Sequence, residues 1–135
     1  MKNVTALYFS PTNGTLSAVK KLLTKFTWVE RKNLVDNTLP KQREKIYDFT
    51  EDELVLIANP VYAGQIPQVN GLWKNLRGHD TPCIIMACYG NRHYDDTLAQ
   101  MQYLLEVRGF RVVGAIAAVI PHVFAPKLGY GRPDA

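Results

Sequence analysis

The hydrophobic pattern divides the chain into short apolar runs separated by polar stretches long enough for helices. Val4 to Phe9 reads as a buried first strand, broken by the turn and capping residues Ser10-Pro11-Thr12-Asn13-Gly14. From Thr15 to about Phe26, Leu16, Val19, Leu22 and Leu23 recur at helical spacing. Lys20, Lys21 and Lys25 take the other side, near the end where the helix dipole favours cations. Thr27 to Leu34 carries enough β-branched and apolar residues for a second strand, and Val35 to Thr50 is a polar connection interrupted by Pro40, with room for some helix. Leu54-Val55-Leu56-Ile57-Ala58-Asn59 is a continuous apolar run, as expected of a strand covered on both faces. A loop at Pro60 to Pro67 leads to a short predicted helix at Val69 to Leu76, ended by Gly78. Pro82 to Cys88 is another fully apolar strand, followed by a Gly/Asn loop at Tyr89 to Tyr94. Asp95 opens the clearest helix, striped by Leu98, Met101, Leu104 and Leu105 and stopped by Gly109, and Arg111 to Ile120 is a fifth strand.

Strands alternating with helix-length connections predict βαβ units and an open, five-stranded parallel sheet, a doubly wound α/β domain over residues 1–120. Residues 121–135 form a tail or a lead-in to a further segment; they hold three prolines and two glycines where a covering helix for the fifth strand is expected. Either the fold closes differently or the chain is a piece of a longer protein. Trp28 and Trp73 are assigned to packing.

With 135 residues, 47% apolar and 21% charged, one soluble globular domain is the working expectation. The N-terminus runs into the first strand without a signal-peptide core, and no stretch approaches membrane-spanning length, so a cytoplasmic address and no membrane association are expected. Cys83 and Cys88 sit five residues apart in one strand and so point to opposite faces; they are read as buried free thiols. Neither their spacing nor that of His79, His93 and His122 suits a metal, and none is expected within this chain. The net charge of +4 is dispersed, with only a modest cluster at Lys41 to Lys45, which argues for an acidic protein partner over nucleic acid.

In such a sheet the ligand sits beyond the carboxyl ends of the strands, which singles out three loops. Ser10-Pro11-Thr12-Asn13-Gly14-Thr15 combines hydroxyls, an amide and a glycine just before a helix, where unpaired N–H groups favour a phosphate. The patterns G-x-x-x-x-G-K-[ST] and G-x-G-x-x-G are both absent, against a nucleotide triphosphatase and an NAD-binding site. A plain helix cap is the competing reading of this loop. The second loop brings Tyr62, in Asn59-Pro60-Val61-Tyr62-Ala63-Gly64, to the same edge, and the third brings Tyr89 and Tyr94, in Tyr89-Gly90-Asn91-Arg92-His93-Tyr94. Two rings with nearby glycines suit a flat heterocycle such as isoalloxazine; isolated surface tyrosines are the alternative.

These loops resemble those of the flavodoxin family, whose first loop follows [ST]-x-T-G-x-T and whose flavin is flanked by aromatics from the next two. Here the glycine of Thr12-Asn13-Gly14-Thr15 stands one position later. Asn-Pro-Val-Tyr-Ala-Gly-Gln-Ile-Pro from Asn59 and Tyr-Gly-Asn-Arg-His-Tyr-Asp-Asp from Tyr89 resemble more specifically the flavodoxin module of flavodoxin–ferredoxin fusions, in which a 4Fe-4S domain follows. The resemblance spans essentially the whole chain. It implies the strand order 2-1-3-4-5, FMN as cofactor, and a phosphate held by Ser10, Thr12, Asn13, Gly14 and Thr15. It further implies Tyr62 and Tyr94 against the ring, Tyr89, Gly90, Asn91 and Arg92 along its pyrimidine, and Pro60, Val61, Ala63 and Gly64 lining the second loop, with Ala63 or Gly64 facing flavin N5.

FMN would supply the redox chemistry, and no residue of the chain is assigned as catalytic. The implied role is electron transfer to or from an iron-sulfur ferredoxin domain or partner. The alternative is an FMN-dependent NAD(P)H or quinone reductase, and a third class is a module that has lost its flavin. Typical flavodoxins place carboxylates near the ring, whereas this third loop offers Arg92 and His93, so a less negative reduction potential is expected. Arg92 is equally readable as a solvated cation or a partner of Asp95 or Asp96, His93 as exposed, and Asp95 as a helix cap.

Overall fold

The computed structural model describes residues 3–10, 14–60, 73–89 and 95–119. Their elements are β1 (Asn3–Tyr8), α1 (Gly14–Leu23), β2 (Arg31–Asp36), α2 (Pro40–Arg43), β3 (Tyr47–Asp48), β4 (Leu54–Pro60), β5 (Leu76–Arg77), β6 (Thr81–Tyr89), α3 (Asp95–Glu106) and β7 (Phe110–Val119). Five strands form one parallel sheet in the order β2-β1-β4-β6-β7, and β3 pairs with β5 in a separate two-stranded ribbon. Counting only the strands of the large sheet, this is the order 2-1-3-4-5 of a flavodoxin-like, doubly wound fold.

Strict alternation along the central strands builds two cores. Val4, Ala6, Tyr8, Leu54, Leu56, Ala58, Met86 and Cys88 meet Val19 and Leu23 of α1 on one face. Leu7, Val55, Ile57, Cys83, Ile85 and Ala87 meet Met101 and Leu105 of α3 on the other. Because both faces are covered, β4 is buried along its whole length, which is why it reads as an unbroken apolar run. The two cysteines are buried, unbridged and on opposite faces, as their spacing requires.

Three expectations are corrected. The second strand begins at Arg31 instead of Thr27, because Phe26 and Val29 are drawn into the α1-side core by tight turns, the Phe26 N–H bonding Leu23 O at 3.1 Å and the Val29 N–H bonding Phe26 O at 3.4 Å. That turn expels Trp28, which is 65% exposed and stacked on Phe26 with ring centroids 5.2 Å apart, so its packing role is limited to that one ring. The predicted helix at Val69 to Leu76 fails where it can be inspected: Trp73 to Asn75 form a turn and Leu76 enters β5; its earlier residues lie outside the described ones. Trp73 is buried among Phe9, Phe49 and Leu76, in keeping with a packing role. The first helix ends at Leu23, three residues before Phe26. The tail, residues 121–135, lies outside the described residues.

Among the described residues no helix is long and apolar enough to cross a membrane.

Candidate functional site

The strand order reverses between β1 and β4: from β1 the chain steps to β2 on one side, then crosses to β4, β6 and β7 on the other. Ligands of doubly wound sheets bind at the carboxyl ends beside such a switch point. There the register sets Tyr8 beside Ala58 and Pro60 beside Cys88, so the chain leaves β1, β4 and β6 side by side at one rim. The three loops named from the sequence therefore depart from adjacent strands. Thr12, Asn13, Val61, Tyr62, Ala63, Gly64, Gly90, Asn91, Arg92, His93 and Tyr94 lie outside the described residues; Ser10, Gly14, Thr15, Pro60 and Tyr89 are placed at the rim.

The start of the first loop is held from both sides. Asn37 N–H donates to Tyr8 O at 2.8 Å, and Ser10 N–H donates to the Thr38 hydroxyl at 2.9 Å, so the corner after β2 clamps the end of β1. Thr38 is itself held by its N–H to Asp36 Oδ1 at 2.9 Å. Ser10 Oγ accepts the Leu16 N–H at 3.0 Å, which satisfies one orphan donor in the first turn of α1. This is the capping role, and it leaves the Ser10 hydroxyl hydrogen to donate elsewhere. The Thr15 hydroxyl is turned inward, where it hydrogen-bonds the Cys88 thiol, and the residue is 2% exposed. Its side chain therefore serves the core, and only its backbone faces the loop.

Three rim residues that the sequence did not single out complete the arrangement. Thr38 is one. Arg43 is buried, its Nη1 donating to the carbonyl oxygens of Asn37 at 3.0 Å and Thr38 at 2.7 Å, with the guanidinium 5.9 Å from the centre of the Phe9 ring. No carboxylate pairs with it among the described residues, so a buried positive charge stands two hydrogen bonds behind Ser10, through Thr38. Asn59, the penultimate residue of β4, is 1% exposed, and its Nδ2 has no hydrogen-bond partner. Single-residue patterns carry no signal for either: Arg43 falls in a charged stretch and Asn59 ends an apolar run, and only the tertiary structure buries them.

Among the described residues, the rim offers donors and few acid–base or nucleophilic groups. Burial pushes the Cys83 thiol up to about 12, and burial pushes Cys88 up to about 11 against a lowering hydrogen bond from Thr15, so neither is a thiolate near neutrality. Burial, with Asp36 nearby, also raises the Tyr8 phenol above its ordinary range. His79, the one histidine among the described residues, lies away from the rim, before β6, with Nε2 2.6 Å from Asp48 Oδ1. No cluster of three or more His, Cys, Asp or Glu able to hold a metal occurs among the described residues. What the arrangement can do is bind an anion with neighbouring polar atoms, using the amino end of the α1 dipole, the Ser10 hydroxyl, the Asn59 amide and the field of Arg43. No family model matches the chain, and no curated protein does either.

Proposed function

We propose that this chain is an FMN-binding electron-transfer domain of flavodoxin type, acting in the cytoplasm with an iron-sulfur ferredoxin domain or protein as its electron partner. The observation that carries the reading is the concentration of buried donors at the switch-point rim, above all the unpaired Nδ2 of Asn59 and the uncompensated Arg43 behind Ser10. A group with a phosphate at one end and hydrogen-bond acceptors along its length fits that donor set. The loop sequences beginning at Asn59 and Tyr89 supply the tyrosines and glycines suited to its flat ring.

Bound flavin would supply the one- or two-electron chemistry. The residues of the chain do the rest: α1 and Ser10 hold the phosphate, Arg43 offsets its charge, and the covered sheet keeps water from the side of the site facing the core. Among the described residues of the rim, the Cys88 thiol is held protonated near neutrality by burial. The test is reconstitution: purified protein is titrated with FMN, bound flavin is identified after release, and NAD(P)H oxidation is followed with and without a quinone. Tight binding with slow NAD(P)H oxidation is expected. Rapid turnover with nicotinamide and quinone would make it a reductase, and refusal of FMN would end the proposal.

A further inference from the structure

Asn59 combines nearly complete burial with a carboxamide nitrogen that donates to nothing. Leaving a buried donor unpaired costs stability, whereas an apolar side chain of the same size would carry no such cost there. The other buried unpaired nitrogen among the described residues, Arg108 Nε, belongs to a guanidinium that donates through Nη1 to Lys74 O at 3.4 Å. Asn59 Nδ2 is the sole donor nitrogen of its side chain, and it stands in a strand buried along its whole length.

Its position narrows what the missing acceptor is. Asn59 pairs in register with Ala87 of β6, and the carbonyl of its neighbour Ala58 accepts the Phe9 N–H at 3.2 Å on the β1 side. It therefore occupies the middle of the rim, between the strand that opens onto the first loop and the strand that opens onto the third. By alternation it shares a face with Val55 and Ile57, the face that also carries Phe9. A ligand with its phosphate at the first loop and its ring toward the third has to pass over the end of β4 with the segment that joins them.

We infer that Asn59 Nδ2 is the donor for a hydroxyl oxygen of the polyol chain that joins phosphate and ring in FMN. This rests on the FMN reading above. The donor is left unsatisfied in the free protein so that the bond forms only with the ligand, which makes Asn59 a binding residue that costs stability.

Two properties are measured on Asn59→Leu in the full chain: stability of the flavin-free protein, and affinity for FMN, riboflavin and lumiflavin, which keeps the ring but lacks the polyol. The flavin-free variant should be at least as stable as the parent. Affinity for FMN and riboflavin should fall about tenfold or more, the scale of one lost hydrogen bond with its partner left unpaired, and lumiflavin affinity should not change. Asn59→Ala should give the same ranking of the three ligands, so the inference remains testable if leucine disturbs folding. Lower stability of the flavin-free leucine variant would show an amide that holds the fold. An equal loss for lumiflavin would place the donor on the ring, and undiminished FMN affinity would give it no ligand role; each of these overturns the inference while leaving the FMN reading in place. A parent protein that binds none of the three takes both down.

Discussion

The two ends of the sheet bury polar groups on opposite terms. At the amino end, Thr81 opens β6 fully buried; its hydroxyl shares its hydrogen between Phe49 O at 3.1 Å and Thr50 O at 2.9 Å and accepts the His79 N–H at 3.0 Å. At the carboxyl end, Asn59 is just as buried and its amide nitrogen has nothing to bind. Thr81 is completed by the chain's own backbone, whereas Asn59 keeps a donor without an acceptor. Of the seven buried polar or charged side chains among the described residues, Ser10, Thr15, Asn37, Arg43 and Asn59 cluster at or behind that rim. Ser10, Thr15 and Arg43 already bond within the chain, so the unpaired donor of that cluster is the Asn59 amide.

The strongest way to break this contrast is to attack the amino end where it is tightest. Gly109, which ends the α3 hairpin, has φ +96, and a Cβ at that position would lie 2.0 Å from the carbonyl oxygen of Gly78. Gly78 N–H in turn donates to Arg108 O at 2.9 Å, so the two backbones are locked together. Gly109→Ala combines a strained φ with a steric clash against backbone and should cost about 3 kcal/mol or more in denaturant unfolding. Flavin affinity of the protein that remains folded should be unchanged. A loss below about 1 kcal/mol, the size of an ordinary substitution, would show that the amino end is looser than its geometry implies.

A smaller and more diagnostic change sets Thr81 directly against Asn59. Thr81→Val keeps the shape and strips the hydroxyl, taking a partner from the His79 N–H and the Phe49 carbonyl while the Thr50 carbonyl keeps the Glu53 N–H, with an expected cost of about 1–3 kcal/mol. The apolar swap at Asn59 should carry the reverse sign or none. If both apolar swaps destabilised the flavin-free protein equally, by urea titration at neutral pH, the two ends would be satisfied alike and the contrast would collapse.

How much of this was legible beforehand follows from where periodicity speaks. β4, β6 and α3 were readable because burial on both faces, or a stripe at helical spacing, leaves a pattern in the residues themselves, and their alternation gives the fold class. β2 was misplaced because Thr27 to Val29 look strand-like but are spent on a turn, while the true strand opens with the exposed residues Arg31, Lys32, Asn33 and Leu34, as an edge strand can. β3 and β5 are two residues each, too short for any period to show. At the rim, Ser10 was visible through its capping chemistry. Asn59 and Arg43 were not, since the burial of a polar side chain is a property of the surroundings and not of the residue.

The mildest probe uses the two thiols, one near each end of β6. Cys83 pairs in register with Val55, Cys88 with Pro60 at the rim, where the Thr15 hydroxyl hydrogen-bonds it. Burial pushes them up to about 12 and about 11 from an ordinary 9.0. Both pKa values are higher in the folded chain, so their contribution to stability is complete below pH 9 and is lost as pH rises through the folded values, because the unfolded chain releases protons that the folded one keeps. Stability should thus show no thiol-dependent slope at neutral pH and should decline between about pH 9 and 12. Cys83→Ala should flatten that decline, despite a cavity cost of its own that is the same at every pH. Site-resolved titration then separates the two ends: Cys88 should ionise at lower pH than Cys83, because the Thr15 hydrogen bond lowers what burial raises. Thr15→Val should narrow that gap by removing the hydrogen bond that favours the Cys88 thiolate. A Cys88 titration unchanged by Thr15→Val would mean that the hydroxyl at the carboxyl end is not turned onto Cys88, and that Thr15 is instead available to the first loop.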